Sequence, residues 1–370
     1  MRMTLVSSSL QGGGAERLAA LLASSWAERG KEVVLLTFDH GDVHGYPLHP
    51  SVRCRSLGLL ASSSHFLEGA FRNIGRIMAL RRAIRESQPD VVVGFSVVVN
   101  VLTVLATRWL GTRVIVYELV DPSRHNIGLI WSTLRRLVYR LADALVCLTS
   151  SSLMQFQTMT RVRKCVIPGL FAQPAGRTKR DKSSEKRGRR VLVAMGRLVP
   201  QKGFDMLLNA FARIGDRHPE WSLTILGEGG GRDELETQIR ALKLEERVYL
   251  AGHTSDPLAV LCVSDLFVFS SRYEGFGLAL CEAMACGLPV VSFDCPSGPR
   301  DIIRHGIDGI LVPPEDIDAL ATALDRLMSD SQERERLASR APEVLDRFSD
   351  HRILALWDQL LEEQTAQSSS

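Results

Sequence analysis

The feature that most limits what this chain can fold into is an alternation of two periodicities that runs, stops and starts again. Short β-branched runs read as strands at Met3–Ser7, Glu32–Phe38, Val52–Leu57, Asp90–Phe95, Arg113–Glu118, Ala144–Thr149 and Lys164–Ile167. Helical patterns such as Ala15–Arg29, Phe71–Glu86 and Ile130–Leu141 separate most of them. Strands that alternate with helices of this length build βαβ units and a parallel sheet. The stretch 172–190, rich in charge, Ser and Gly and without apolar periodicity, reads as an exposed linker. After it the alternation restarts, with strands at Arg190–Met195, Ser222–Leu226, Arg247–Ala251, Leu266–Ser270, Pro289–Phe293 and Gly309–Val312. Helices follow at Phe204–Gly215, Arg232–Leu242, Gly277–Cys286 and Ile317–Met328, and a last amphipathic helix lies near His351–Glu363.

The fold expected is therefore α/β: two tandem Rossmann-like, doubly wound domains with a cleft between them. Residues 1–170 form the first domain, 171–190 a basic linker and 191–345 the second, and the final helix, about 346–364, is expected to pack back on the first domain. Length agrees, since 370 residues suit two domains better than one. Ligands of such sheets sit at the carboxyl ends of the strands, which points to a ligand between the domains.

Charge is divided between the halves. Residues 1–170 carry 20 Lys+Arg against 11 Asp+Glu, 171–190 carry 8 against 2, and 191–370 carry 17 against 29. Halves of opposite sign suggest different partners. Seven cysteines (54, 147, 165, 262, 281, 286 and 295) form no C-x-x-C pair. Their odd number argues for reduced thiols rather than a disulfide framework or zinc ribbon. The opening MRMTLVSSSLQGGG has too short an apolar run for a signal peptide. Val91–Leu110 is almost long enough to span a bilayer, yet it carries Gly94, Ser96, Asn100, Thr103 and Arg108. A buried strand running into a buried helix fits it better.

The sharpest chemical signal is GRLVPQKGFD (Gly196–Asp205), just after the first strand of the second domain. Arg197 offers a bidentate fork and Lys202 a point charge beside a helix start, which makes a diphosphate site. The second signal is SRYEGFGLALCEAMACGLPVVSFD (Ser271–Asp294). Glu274 falls in a loop at a strand's carboxyl end, and Glu282 lies one to two turns into a helix that begins at Gly277. Two such carboxylates could form an acid/base pair or could grip sugar hydroxyls. Asp316 and Asp318 form a D-x-D at a helix start, where acidic residues favour the macrodipole. No metal site is expected.

GRLVPQKGFD, the E-x7-E of EGFGLALCE, the following AMACGLPVV and GIDGILVPPED together resemble glycosyltransferase family 4, retaining enzymes of the two-Rossmann GT-B fold. QGGGAER (Gln11–Arg17) is similar to the glycine-rich first turn of that family's N-terminal domain, and FDCPSGPRDII (Phe293–Ile303) resembles a branch that builds bacterial surface polysaccharides and lipid-linked oligosaccharides. The resemblance implies that Gly196, Arg197 and Lys202 meet the donor diphosphate, that Glu282 holds ribose hydroxyls and that Glu274 contacts the donor sugar. It also implies that the amides of Phe276, Gly277 and Leu278 hold sugar and phosphate, that the base lies near His253 and Thr254, and that Gly13 and Gly14 let the backbone approach the phosphates. Many relatives place a histidine after the fifth N-terminal strand. Here Glu118 ends that strand and His125 follows seven residues later, and either is a candidate for a role at the acceptor.

The expected activity is retaining transfer of a hexose or N-acetylhexosamine from a nucleotide sugar, a UDP sugar, to a lipid-linked glycan acceptor, without metal or other cofactor. Another GT-B enzyme such as a UDP-sugar epimerase, or an inactive transferase-like partner subunit, is the alternative. All four of Arg197, Lys202, Glu274 and Glu282 are present, which an inactive subunit would be expected to have lost in part. Location should be cytoplasmic, on the cytoplasmic face of the membrane. The helix with Phe71, Ile74, Ile77, Met78 and Leu80 also carries Arg72, Arg76, Arg81, Arg82 and Arg85, and a second adds Trp131, Arg135, Arg136 and Arg140. Basic residues beside apolar ones suit an anionic bilayer surface. No nucleic acid is expected as a partner.

Overall fold

The computed structural model describes residues 1–40, 45–59, 66–121, 124, 127–174 and 189–367. The chain divides into two compact units, Met1–Leu170 and Phe171–Ser370. The central part of the expected linker, 175–188, lies outside the described residues.

The first unit holds a seven-stranded sheet: β1 Arg2–Ser7, β2 Glu32–Thr37, β3 Arg53–Ser56, β4 Val91–Phe95, β5 Arg113–Glu118, β6 Ala144–Cys147 and β7 Arg163–Val166. The second holds six strands: β8 Arg190–Met195, β9 Trp221–Leu226, β10 Val248–Gly252, β11 Leu266–Phe269, β12 Val290–Phe293 and β13 Ile310–Val312. The spatial orders are β3-β2-β1-β4-β5-β6-β7 and β10-β9-β8-β11-β12-β13. Every ladder between these strands is parallel. In each sheet the order reverses once, between β1 and β4 and between β8 and β11. Those reversals leave a crevice at the strand ends where a ligand can enter.

Why these runs become strands is visible in their burial. β4 and β11 are enclosed at every position, as parallel strands covered on both faces must be. The two cores are filled by large apolar groups, with Trp26 in the first unit and Trp221 and Phe211 in the second fully enclosed. Burying a side chain of that size is worth about 1.5–3 kcal/mol. The apolar stretch after β4 turns at Ser96 into the helix Val97–Thr107, whose residues are almost all buried. No helix among the described residues is long and apolar enough to cross a membrane.

Helix periodicity sorts the arginine-rich helix Phe66–Ser87. Leu80, Ala83 and Ile84 face the core and Ile77 packs against it. Ile74 and Met78 are exposed, as are Arg82 and Arg85. Leu80 and Ile77 are therefore core residues and not part of an outer apolar face. A 3.6-residue period leaves one outward stripe, and a longer one would strip the core. In the second helix, Gly128–Val138, Arg135 is likewise inward, buried over the Phe156 ring at 5.7 Å. The last helix runs Asp350–Gln367 and buries Ile353, Leu354, Trp357, Leu360 and Leu361.

Candidate active site

β8 and β11 pair across the reversal of the second sheet, Leu266 opposite Leu192 and Phe267 opposite Val193. Their two exit loops therefore leave side by side, and these loops carry the two motifs singled out in the sequence. The first runs from Gly196 through a short turn, Pro200–Lys202, into the helix Phe204–Ile214. The second runs from Ser270 to the helix Leu278–Ala285.

A set of hydrogen bonds fastens one loop to the other. The Arg272 amide donates to the Gln201 carbonyl at 2.8 Å, and the Gln201 side-chain amide donates to the Tyr273 carbonyl at 3.0 Å. The Ser270 hydroxyl donates to the Lys202 carbonyl at 2.9 Å. The Arg272 guanidinium reaches the Pro200 carbonyl at 2.6 Å and grips Asp205 through two contacts, 2.8 and 2.7 Å. That bidentate pair holds the Asp205 carboxyl below its usual range, against the opposing effect of burial. Gly203 joins turn and helix at φ +63°, and a Cβ there would stand 2.1 Å from the Ser270 carbonyl oxygen. Only glycine permits so close an approach.

This bracing brings Lys202 to Glu274. Lys202 Nζ lies 2.5 Å from Glu274 Oε1, with the side chains 17% and 9% exposed. The Ser271 hydroxyl donates to the same oxygen at 2.6 Å, and the ammonium sits 5.8 Å from the centre of the Phe269 ring. The stem of Lys202 passes over Gly196, where a Cβ would meet Cδ at 3.1 Å. Arg197, next in the chain, is exposed. One loop thus carries two basic side chains, one half-dry and one exposed, a chemistry that suits an anion.

Glu282 is placed differently. It has no exposure, and its Oε1 accepts from the Ala172 amide at 3.2 Å. Phe276 is buried, and Gly277 precedes the helix at φ +117°. The leading amides of that helix have no carbonyl one turn back to meet. His253 is exposed and Thr254 half-buried. The Thr254 hydroxyl accepts from the Asp256 amide at 3.3 Å, and Asp256 caps the next helix, Pro257–Val263. Asp316 and Asp318 both have partners within the second unit. Asp316 caps its helix through the Ala319 amide at 2.9 Å, and Asp318 pairs with Arg213.

In the first unit Gly13 caps the helix Gly14–Glu28 and exchanges hydrogen bonds with the Tyr46 hydroxyl at 3.0 and 3.1 Å. Glu118 ends β5 and is 1% exposed. The Tyr139 hydroxyl donates to its Oε2 at 2.8 Å, and Asn100 in turn donates to Tyr139 at 3.0 Å. Burial pushes Glu118 up to about 7, against the opposing charge of Arg135. His125 lies outside the described residues.

Comparison with known proteins decides the family. Residues 176–344 match the model "Glycosyl transferases group 1", and residues 13–168 match "Glycosyl transferase 4-like domain". The chain is a glycosyltransferase, each of its two halves matching a glycosyltransferase model. It is 28% identical, over 98% of its length and 99% of the relative's, to a Campylobacter jejuni protein named GalNAc-alpha-(1->4)-GalNAc-alpha-(1->3)-diNAcBac-PP-undecaprenol alpha-1,4-N-acetyl-D-galactosaminyltransferase. It is 38% identical to a Streptomyces coelicolor exopolysaccharide phosphotransferase, but over 47% of this chain and 19% of that one. The Anabaena protein Alr3699/HepE, solved with UDP and glucose, superposes with a TM-score of 0.78 at 20% identity, covering 98% of this chain and 99% of the other. The fold of this glycosyltransferase is thus GT-B, as its motifs imply.

Four residues around the two loops escape a motif reading. Ser271 shares Glu274's proton-accepting oxygen, and its place three residues ahead of the glutamate was the available signal. Arg272 and Asp205 brace the loops, which only the pairing of β8 with β11 brings together. Glu228, exposed near His253, pairs with Arg232 at 2.7 Å, and that contact holds its carboxyl below the usual range.

Proposed function

We propose that this glycosyltransferase, one of a group that serves bacterial polysaccharide and lipid-linked glycan synthesis, moves a hexose or N-acetylhexosamine from a UDP sugar to a lipid-linked acceptor with retention at the anomeric carbon. The observation that carries the reading is the Lys202–Glu274 pair at the reversal of the second sheet, 2.5 Å apart, with Lys202 on the loop that also carries Arg197. The name of the Campylobacter relative and the UDP and glucose bound by the Anabaena protein support the choice of donor and acceptor.

The step begins with rupture of the bond from the anomeric carbon to the diphosphate. The electron pair leaves with the diphosphate, and Lys202, Arg197 and the leading amides at Gly277 and Leu278 meet the charge that develops. Preorganised donors of this kind lower such barriers most. The acceptor oxygen enters on the face the diphosphate leaves, and its proton passes to a diphosphate oxygen. Glu274, relieved of Lys202 by the incoming anion, accepts hydrogen bonds from donor-sugar hydroxyls. Glu282 takes the ribose hydroxyls once its contact with the Ala172 amide opens. The base lies along His253 and Thr254.

The acceptor's lipid calls for work at a membrane surface. Trp109 is 84% exposed, Met78 64%, Ile74 58% and Leu137 56%. Arg82, Arg85, Arg136 and Arg140 are exposed in the same unit. Arg81 fixes Trp109's neighbourhood by donating to the Arg108 carbonyl at 2.8 Å, and Arg108 lies over the Trp109 ring at 5.6 Å. These groups suit an anionic bilayer. The test of the donor reading is incubation of the full chain with a panel of nucleotide sugars. Slow release of UDP from one of them is expected, and no release from any UDP sugar overturns it.

A further inference from the structure

The seven cysteines are all free thiols, and two of them meet. Cys262 Sγ and Cys286 Sγ are 3.0 Å apart, with Cys262 half-buried and Cys286 buried. Two sulfurs at that separation are already inside ordinary contact, and an S–S bond of about 2.05 Å requires a shift of only about 1 Å shared by two side chains. Among the other five, Cys147, Cys281 and Cys295 are buried and Cys54 and Cys165 half-buried. Cys262 is thus an entry point for an oxidant with a partner sulfur at hand.

We propose that Cys262 and Cys286 are a site of reversible oxidation, closing to a disulfide that ties the helix Pro257–Val263 to the end of the helix Leu278–Ala285. The pair spans 24 residues of chain, and the ring so formed contains β11, Ser271, Glu274 and Gly277. The tie therefore fastens the segment that carries Glu274. Cys286 follows the last residue of its helix, and its amide donates to the Glu282 carbonyl at 3.1 Å, so the link lands one turn from Glu282.

The chemistry balances with a peroxide as oxidant. The Cys262 thiolate attacks one peroxide oxygen, the O–O bond breaks, and hydroxide leaves and is protonated to water, giving a sulfenic acid. The Cys286 sulfur then attacks the Cys262 sulfur, the S–O bond breaks, and hydroxide leaves as water with the Cys286 proton. Two thiols lose two electrons in all and one hydrogen peroxide becomes two waters. Burial raises the Cys286 thiol above its usual range, which leaves it to the more exposed Cys262 to react first. A thiol reductant reverses the bond by exchange.

The experiment uses the full chain, reduced, freed of reductant, treated with hydrogen peroxide, alkylated and digested without reduction for mass spectrometry. The expected product is a peptide pair linked through Cys262 and Cys286, removed by dithiothreitol, with a thermal midpoint several degrees above that of the reduced chain because the cross-link restricts the unfolded ensemble. Cys262→Ser should fold as the reduced chain does and lose both the linked peptide and the thermal gain. Cys286 is buried and its replacement could disturb packing, so Cys262→Ser is the deciding variant. Alkylation of both cysteines after peroxide, over-oxidation of Cys262 without a link, or linkage of either to another cysteine overturns the proposal.

Discussion

Lys202 and Glu274 are 72 residues apart in sequence, yet they share a 2.5 Å contact because β8 and β11 are neighbours in the sheet. In the unliganded chain each neutralises the other. A diphosphate competes with Glu274 for the ammonium, so Glu274→Gln should bind UDP at least as tightly as the native chain while turnover falls on the order of 10²-fold. Calorimetric titration with UDP beside a rate measurement checks this. UDP binding weakened tenfold or more would show that Glu274 does not compete for Lys202.

Gly298 bears on the same site from the other side. It sits at φ +104°, and a Cβ there would stand 1.8 Å from the Phe276 carbonyl oxygen, a backbone atom with no room to yield. Gly298→Ala should push the Phe276–Gly277 turn aside. A lower thermal midpoint and a raised donor KM are expected, and a variant with native values for both would show that the turn tolerates the shift.

Glu118 gives the first unit a pH signature. An unfolded glutamate titrates near 4.3, whereas burial lifts Glu118 to about 7. Between those values the folded chain keeps a proton that the unfolded chain has lost. This group therefore favours folding on the acid side, and its contribution fades as pH rises through about 7, by something on the order of 3 kcal/mol. Glu118→Gln stays neutral throughout, so its thermal midpoint should gain on the native chain from pH 5 to pH 8. A pH-independent difference between the two would contradict the account of Glu118.

Strands were legible wherever β-branched residues ran together. Arg113–Glu118 and Arg190–Met195 match to the residue, and other ends move by a residue or two where the ladder stops. The loops that carry Arg197, Lys202 and Glu274 were legible because glycines and helix starts stand close to them in sequence. Arg272 with Asp205 was not, since the pairing exists only once two strands lie side by side. Trp109 was hidden at the end of a continuous apolar run, where nothing in the periodicity marks that the chain leaves the core after Thr107. Arg135 was hidden too, because a guanidinium packed on Phe156 reads in sequence like any solvated arginine.

The exposed groups of the first unit should bring it to anionic lipid. Each arginine near such a surface contributes about 1 kcal/mol. Co-sedimentation with anionic vesicles should fall as salt rises, weaken in an Arg82→Gln, Arg85→Gln, Arg136→Gln variant, and weaken again in Trp109→Ala. Equal binding to neutral vesicles would contradict electrostatic docking.

Fixed cations are assigned the role that a divalent ion would otherwise fill. Excess EDTA should therefore leave the initial rate with a UDP sugar nearly unchanged. Complete loss, restored by added Mn²⁺ or Mg²⁺, would contradict the assignment of Arg197 and Lys202.

The most direct measurement is the turnover of a UDP sugar by Arg197→Ala and Lys202→Ala, each first shown to melt as the native chain does. Each removes a charge-assisted contact that strengthens as the diphosphate departs, so kcat should fall on the order of 10²-fold or more in both. Near-native kcat in both folded variants would contradict the diphosphate site at the end of β8.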